Sequence, residues 1–151
     1  MTLQNLYIKA GQKTPEVSFN STTGDLVLKG KSIPENATQI YSPALEWISE
    51  YKKNPQEKTN LHLDLIYFNT ASSIWFAKMY KELAMIENHE RLLIIHLYFD
   101  LEDYNEMDEP DLAEIISPVT DILKIASVSI GVKVYGKADS GAIVKERLIL
   151  L

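Results

Sequence analysis

The stretch "NLHLDLIYFNTASSIW", Asn60–Trp75, decides the fold class of this chain. Leu61, Leu63 and Leu65 alternate with His62, Asp64 and Ile66, the period of a β-strand with one face in a core. The run becomes almost continuously apolar towards Phe68, which marks an interior strand. Asn69, Thr70, Ala71, Ser72 and Ser73 then interrupt it. Trp75, Met79, Leu83 and Ile86 follow at helical spacing, so a helix is expected over about 71–88. Asn69 and Thr70 both suit the helix cap, with Ser72 or Ser73 in the first turn. A strand that passes directly into a helix is half of a βαβ unit.

Working outward, the same order repeats. "ERLLIIHLYFD", Glu90–Asp100, is the strongest strand of the chain, and a helix is expected over about 110–124. "SVSIGVKVYG" then alternates Val128, Ile130, Val132 and Val134 as a further strand. Upstream, Ser42 as cap and Pro43 as first helical residue open a helix over about 43–54, with Leu45, Trp47, Ile48 and Tyr51 on its core face. Alternating helices and strands imply parallel strands joined by right-handed crossovers. The beginning differs. "NLYIKA" and "EVSFNSTTGDLVLKGKS" read as short antiparallel strands, the latter a hairpin that turns at Gly24. The expectation is a single α/β domain over 1–151, a mixed sheet with antiparallel strands at its N-terminal side. "AIVKERLILL" fits either an added edge strand or an oligomer contact.

Composition sets the outer limits. The chain has 151 residues, enough for one proper core, and no cysteine, so disulfides and thiolate chemistry are absent. No apolar run approaches the roughly 18 residues of a membrane helix, and "MTLQNLYIKAGQK" lacks a signal pattern; the cytoplasm is the expected compartment. Fifteen basic and 21 acidic residues give a net charge of −6. The excess is concentrated in "DLEDYNEMDEPDLAE", Asp100–Glu114, which carries eight carboxylates and no Lys or Arg. Such a field repels nucleic acid and anionic lipid and attracts a basic partner or a divalent cation. Its plain reading is a solvated loop leading into an acid-capped helix. Asp100, Glu102 and Asp103 resemble a calcium loop only loosely, without its glycine and terminal Glu, and no metal site is expected. No glycine-rich phosphate cradle appears, so no nucleotide cofactor is called for.

Two strand ends, "YFNTASS" and "YFDLED", should converge if their strands are neighbours, because binding residues collect at the carboxyl ends of α/β strands. The hydroxyls of the first lie at the positive end of a helix, where free N–H groups favour negative charge. A phosphoryl group on Thr70 would add about −1.5 to −2 charges beside the acidic segment. The histidines have no metal-ligand spacing. Thr70 or Ser72 with His96 on the adjacent strand is a conceivable nucleophile and base pairing, on a weak signal.

"TPEVSF", "GDLVLKGKSIPENA", "YSPALEWISEY", "YFNTASS" and "YFDLEDYNEMDE" together resemble the SiaC-like regulatory phosphoproteins, over roughly residues 1–115. The resemblance implies an anti-anti-sigma-like (STAS-like) fold, no catalytic activity, and reversible phosphorylation of Thr70. It implies a serine/threonine protein kinase and an opposing metal-dependent phosphatase as partners. In some members the unphosphorylated form activates a diguanylate cyclase, linking the switch to cyclic-di-GMP and biofilm formation. The expected interaction surface comprises Asn69, Thr70, Ala71, Ser72 and Ser73 with Tyr98, Asp100, Glu102 and Asp103. Ala71 and Ile74 stand where the family motif has a serine and a lysine. Two other readings compete: a constitutive interaction module of the same fold, and a hydrolase using Thr70 or Ser72 with His96.

Overall fold

The computed structural model describes residues 3–151. It is a mixed α/β domain built on one sheet of seven strands in sequential order, β1 (Leu6–Ile8), β2 (Glu16–Asn20), β3 (Asp25–Ser32), β4 (Lys58–Phe68), β5 (Leu92–Asp100), β6 (Ser129–Lys137) and β7 (Ile143–Leu150). β3 to β6 run parallel, whereas β1, β2 and β7 pair antiparallel with their neighbours. The hairpin turns at Gly24, whose φ of +78° suits glycine; a Cβ there would collide with the Lys58 carbonyl.

Helices α1 (Ala37–Tyr51), α2 (Thr70–Ala84), α3 (Leu101–Glu106) and α4 (Glu109–Thr120) fill the crossovers. Successive right-handed crossovers that always step in the same direction place every helix on one sheet face. The core is therefore single-sided. Val17, Leu28, Leu61, Leu63, Ile95 and Val132 meet Tyr41, Ile48, Met79 and Leu83 there.

The expected helix boundaries move, and α4 ends at Thr120 rather than at about 124. α1 begins at Ala37 with Asn36 as its cap, not at Ser42, so Pro43 lies inside the helix. Ala37, Tyr41, Ala44 and Ile48 are all buried at helical spacing, and that burial outweighs the single backbone bond Pro43 cannot donate. The acidic segment is not one solvated loop. Leu101–Glu106 forms α3, and Asp108 with Asp111 makes a reciprocal capping box that starts α4. Helix α2 ends at Ala84, four residues short of the expected stop.

The largest departure concerns β4. It is interior as expected, but Ile66, Tyr67 and Phe68 are exposed, Ile66 by 67%. β4 stays paired with β3 up to Phe68, whereas its pairing with β5 stops at Leu63↔Leu97. β5 continues beside β6 to Asp100. The carboxyl ends of β4 and β5 therefore splay apart, and the apolar tail of β4 faces a gap. The Lys137 ammonium spans it from β6 to both Asp64 oxygens, at 2.9 and 3.0 Å.

α3 packs closely on β6 at Gly136, where an added Cβ would lie 3.0 Å from the Tyr104 ring and 3.2 Å from Leu101. Gly136→Val is expected to lower unfolding stability by about 1–3 kcal/mol through overpacking. Urea melts of the two proteins measure this.

Candidate functional site

Asn69 ends β4 and caps α2: its Oδ1 accepts from the Ser72 amide at 3.0 Å and lies 2.8 Å from Ser72 Oγ. Its own N–H donates to the Ser32 carbonyl at 3.0 Å, which ties the helix start to the end of β3. Ser72 Oγ also reaches the Ser32 carbonyl (2.9 Å) and the Ser32 hydroxyl (2.7 Å), and the Ser32 hydroxyl in turn meets Tyr41 OH. A consistent proton order runs from Tyr41 to Ser32 to Ser72 and on to an acceptor oxygen. Burial pushes the Tyr41 phenol up, so it stays a donor. Tyr41 comes from α1, Ser32 from β3 and Ser72 from α2, so one hydroxyl chain locks three elements together.

The serine and threonine hydroxyls thus divide into two groups. Ser72, expected on the interaction surface, is fully buried and belongs to the lock instead. Asn69 is the cap, and Thr70 is the first helical residue and exposed. Ala71 is exposed as well, and Ser73 is half-buried with its hydroxyl 3.4 Å from the Asn69 carbonyl. Sequence reading did not connect Ser32 or Tyr41 to this cluster; Tyr41 reads as a core aromatic by its spacing and Ser32 as the end of an ordinary strand.

The β4/β5 splay opens a groove of about 610 Å³, whose lining includes Phe68 and Ser73 on either side of Thr70 in the chain. Leu65, Ile66 and Phe68 of β4, Phe76 and Tyr80 of α2, and Phe99 of β5 give it an apolar lining. Asp100, Asp103 and Glu114 supply its charges, and no Lys or Arg lines it. A shallower depression beside it shares Asp103 and Glu114 and adds Glu106 and Asp111. Both strand ends contribute to this groove, Phe68 and Ser73 from one and Phe99, Asp100 and Asp103 from the other, although the strands part rather than converge. Asp100, Glu102 and Asp103 are exposed. Exposed Ile74, near the start of α2, adds apolar surface close to Thr70 in the chain.

Tyr98 behaves differently from the rest of the expected surface. Its residue borders the groove, but its hydroxyl lies 2.8 Å from His62 Nδ1 on the sheet face that carries no helix. On that face His62, His96, Tyr98 and Tyr135 stack across three strands, with ring centroids 4.1 Å apart for His62–His96 and 4.4 Å for Tyr98–Tyr135. The ladder buries itself where no helix covers the sheet. His96 is bonded at both nitrogens, to Tyr135 OH (2.7 Å) and Asn60 Oδ1 (2.8 Å). It is committed to the helix-free face, while Ser72 is committed to the lock on the other side. The nucleophile and base pairing of Thr70 or Ser72 with His96 is not assembled. Among the described residues no cluster of three or more potential ligands is placed to hold a metal ion.

With this geometry established, comparisons with known proteins place the chain. The sequence profile of the SiaC family regulatory phosphoproteins matches residues 8–127. The chain belongs to the SiaC family. An uncharacterized protein of Pseudomonas aeruginosa (strain UCBPP-PA14) is 30% identical over 70 residues, 46% of this chain and 56% of that one. That match spans little more than half of the relative's length. Apo-SiaC from Pseudomonas aeruginosa superposes with a TM-score of 0.62 at 21% identity, covering 85% of this chain and 98% of that one. SiaC in complex with the diguanylate cyclase SiaD, which it activates, superposes at 0.65 and 21% identity, covering 86% and 99%. At that identity the likeness establishes the shared mixed α/β fold. The chain is a SiaC family regulatory phosphoprotein. Among the described residues no helix is long and apolar enough to cross a membrane.

Two measurements check the site's construction. Ser72→Ala should lower stability by about 1–3 kcal/mol, because it leaves the buried Ser32 hydroxyl short of a partner. Thr70→Ala should stay within about 0.5 kcal/mol, as an exposed position does. Denaturant melts of both variants distinguish the locked hydroxyl from the free one.

The ladder makes stability depend on pH. Burial, then the neighbouring His62, Lys133 and Lys58, lowers the His96 pKa to about 3, and burial lowers that of His62. Below pH 6.5 the unfolded chain binds protons that the folded chain does not, so stability falls as pH falls. From pH 6.5 to 5 the His96 share amounts to about 2 kcal/mol. Urea midpoints should drop over that interval, and His96→Gln should show a flatter profile than the native chain.

Proposed function

We propose that this chain is a non-enzymatic signalling protein whose binding face is toggled by phosphorylation of Thr70. The observation that carries the reading is the division at the start of α2: Thr70 is exposed beside an apolar, acid-bordered groove, while Ser72 is sealed in the lock. Membership of a regulatory phosphoprotein family supports it. So does exposure at a strand end, which leaves Thr70 within reach of a kinase active site. A serine/threonine protein kinase and an opposing metal-dependent phosphatase set the state of Thr70. The regulated partner is of the diguanylate cyclase type, as in the family structure in which SiaC activates SiaD.

The unphosphorylated groove offers apolar floor residues and three carboxylates, so it suits a partner segment with apolar side chains flanked by Lys or Arg. A phosphoryl group at Thr70 is accommodated locally by the free N–H groups of the α2 N-terminus. It also adds negative charge next to a groove that already lacks cations. Ala71 and Ile74 leave no side-chain cation in the first turn to neutralise it, so the charge acts on the partner and the acidic rim.

Lysate pull-downs with three baits test this. Native chain and Thr70→Val should retain the same partner, and Thr70→Asp should lose at least about tenfold in capture, equivalent to about 1.4 kcal/mol. Equal capture by Thr70→Asp would leave only the constitutive interaction module standing.

A further inference from the structure

We propose that β7 is a self-pairing edge strand that joins two copies of this chain through a continuous antiparallel sheet. The Leu151 amide donates to the Ile130 carbonyl at 3.2 Å, which fixes which residues of β7 turn their backbone towards β6. By alternation Ile149 and Arg147 do so, and Glu146, Leu148 and Leu150 turn their N–H and C=O groups outward. The strand is exposed along its whole length except at Ile149, and Leu148 and Leu150 are 53% and 75% exposed. An open, apolar edge of this kind is a template for another strand.

Two of the three charges of β7 are drawn away from this edge, and the third, Glu146, pairs with Lys133 of β6 at 3.6 Å on the helix-free face. Lys145 donates to Asn105 at 2.9 Å, and Arg147 pairs with Glu109 at 3.2 Å, so both lean towards α3 and α4. On the opposite face Leu150 lies across Gly131 towards Ile94, continuing an apolar strip that ends at the open edge. The other edge of the sheet, β1, has only three residues and makes a poor alternative partner.

Charge selects both the occupant and the register. A twofold axis perpendicular to the sheet pairs residues of like parity, so each register is centred on one residue. Centring on Glu146 sets Glu against Glu and Lys145 against Arg147; centring on Arg147 sets Arg against Arg. Centring on Ile149 pairs only the last three residues of β7. Centring on Leu148 places Leu148 opposite Leu148 of the partner subunit, Glu146 opposite Leu150 of the partner subunit, and no like charges in opposition. It forms about six backbone hydrogen bonds, two for each of three pairs. It also runs the Ile94–Leu150–Leu148 strip without a break into its own copy. The family match ends at residue 127, before β6, so this surface lies outside the matched region and outside the groove.

Light scattering of the full chain at tens of micromolar should give twice the chain mass. Leu148→Pro should be monomeric with an unchanged circular dichroism spectrum, because the amide it removes points away from β6. The chain has no cysteine, so crosslinks report the register cleanly. Copper-phenanthroline oxidation should convert Leu148→Cys to a disulfide-linked dimer and leave Glu146→Cys uncrosslinked. If Leu148→Pro fails to fold, the two cysteine variants decide the matter alone. A monomeric native chain, a folded Leu148→Pro dimer, or crosslinking of Glu146→Cys in preference to Leu148→Cys would overturn the proposal.

Discussion

The buried hydroxyl chain from Tyr41 through Ser32 to Ser72 is the constraint on which the functional end of the molecule depends. It joins two consecutive elements, β3 and α1, to α2 forty residues on, and is sealed from water. Inside a core an unmade hydrogen bond costs more than a made one contributes, so such a chain holds only when every member is in place. Its consequence is directional. With Ser72 held inward by Ser32 and Asn69, the helix can start only at Thr70, and the residue at that first position must face solvent. The exposure of Thr70 follows from the burial of Ser72.

The second determinant is the early end of β4–β5 pairing. A sheet of sequential order has no reversal of winding at which a crevice would form by topology. Here the crevice comes from splay: β4 follows β3, β5 follows β6, and the gap between them exposes the apolar tail that continuous pairing would have covered. Lys137 reaching across to Asp64 limits how far the strands part. Lock and splay meet at Asn69, so the helix start and the groove share one support.

Much of this was legible in the sequence because it is local. The alternation of Leu61, Leu63 and Leu65, the cap at Asn69 and the neighbouring order of β4 and β5 all follow from periodicity and chain order. What escaped reading depends on partners far along the chain. Ser72 and Thr70 look equivalent in "NTASS" until Ser32, forty residues earlier, claims one of them. Pro43 looked like a helix start because the burial of Ala37 and Tyr41 ahead of it was not visible. Ile66–Phe68 looked like core because the register at which pairing stops is not written in any one strand. His96 read as an isolated strand histidine, and its ladder exists only once β4, β5 and β6 lie side by side.

The central claim is that one hydroxyl of this cluster is the switch and its neighbour two residues on is structure. Phosphopeptide mapping of the chain purified from its own cells tests it most directly. Phosphate is expected on Thr70 and none on Ser72. Phosphate on Ser72, or on Ser73 in place of Thr70, would contradict it.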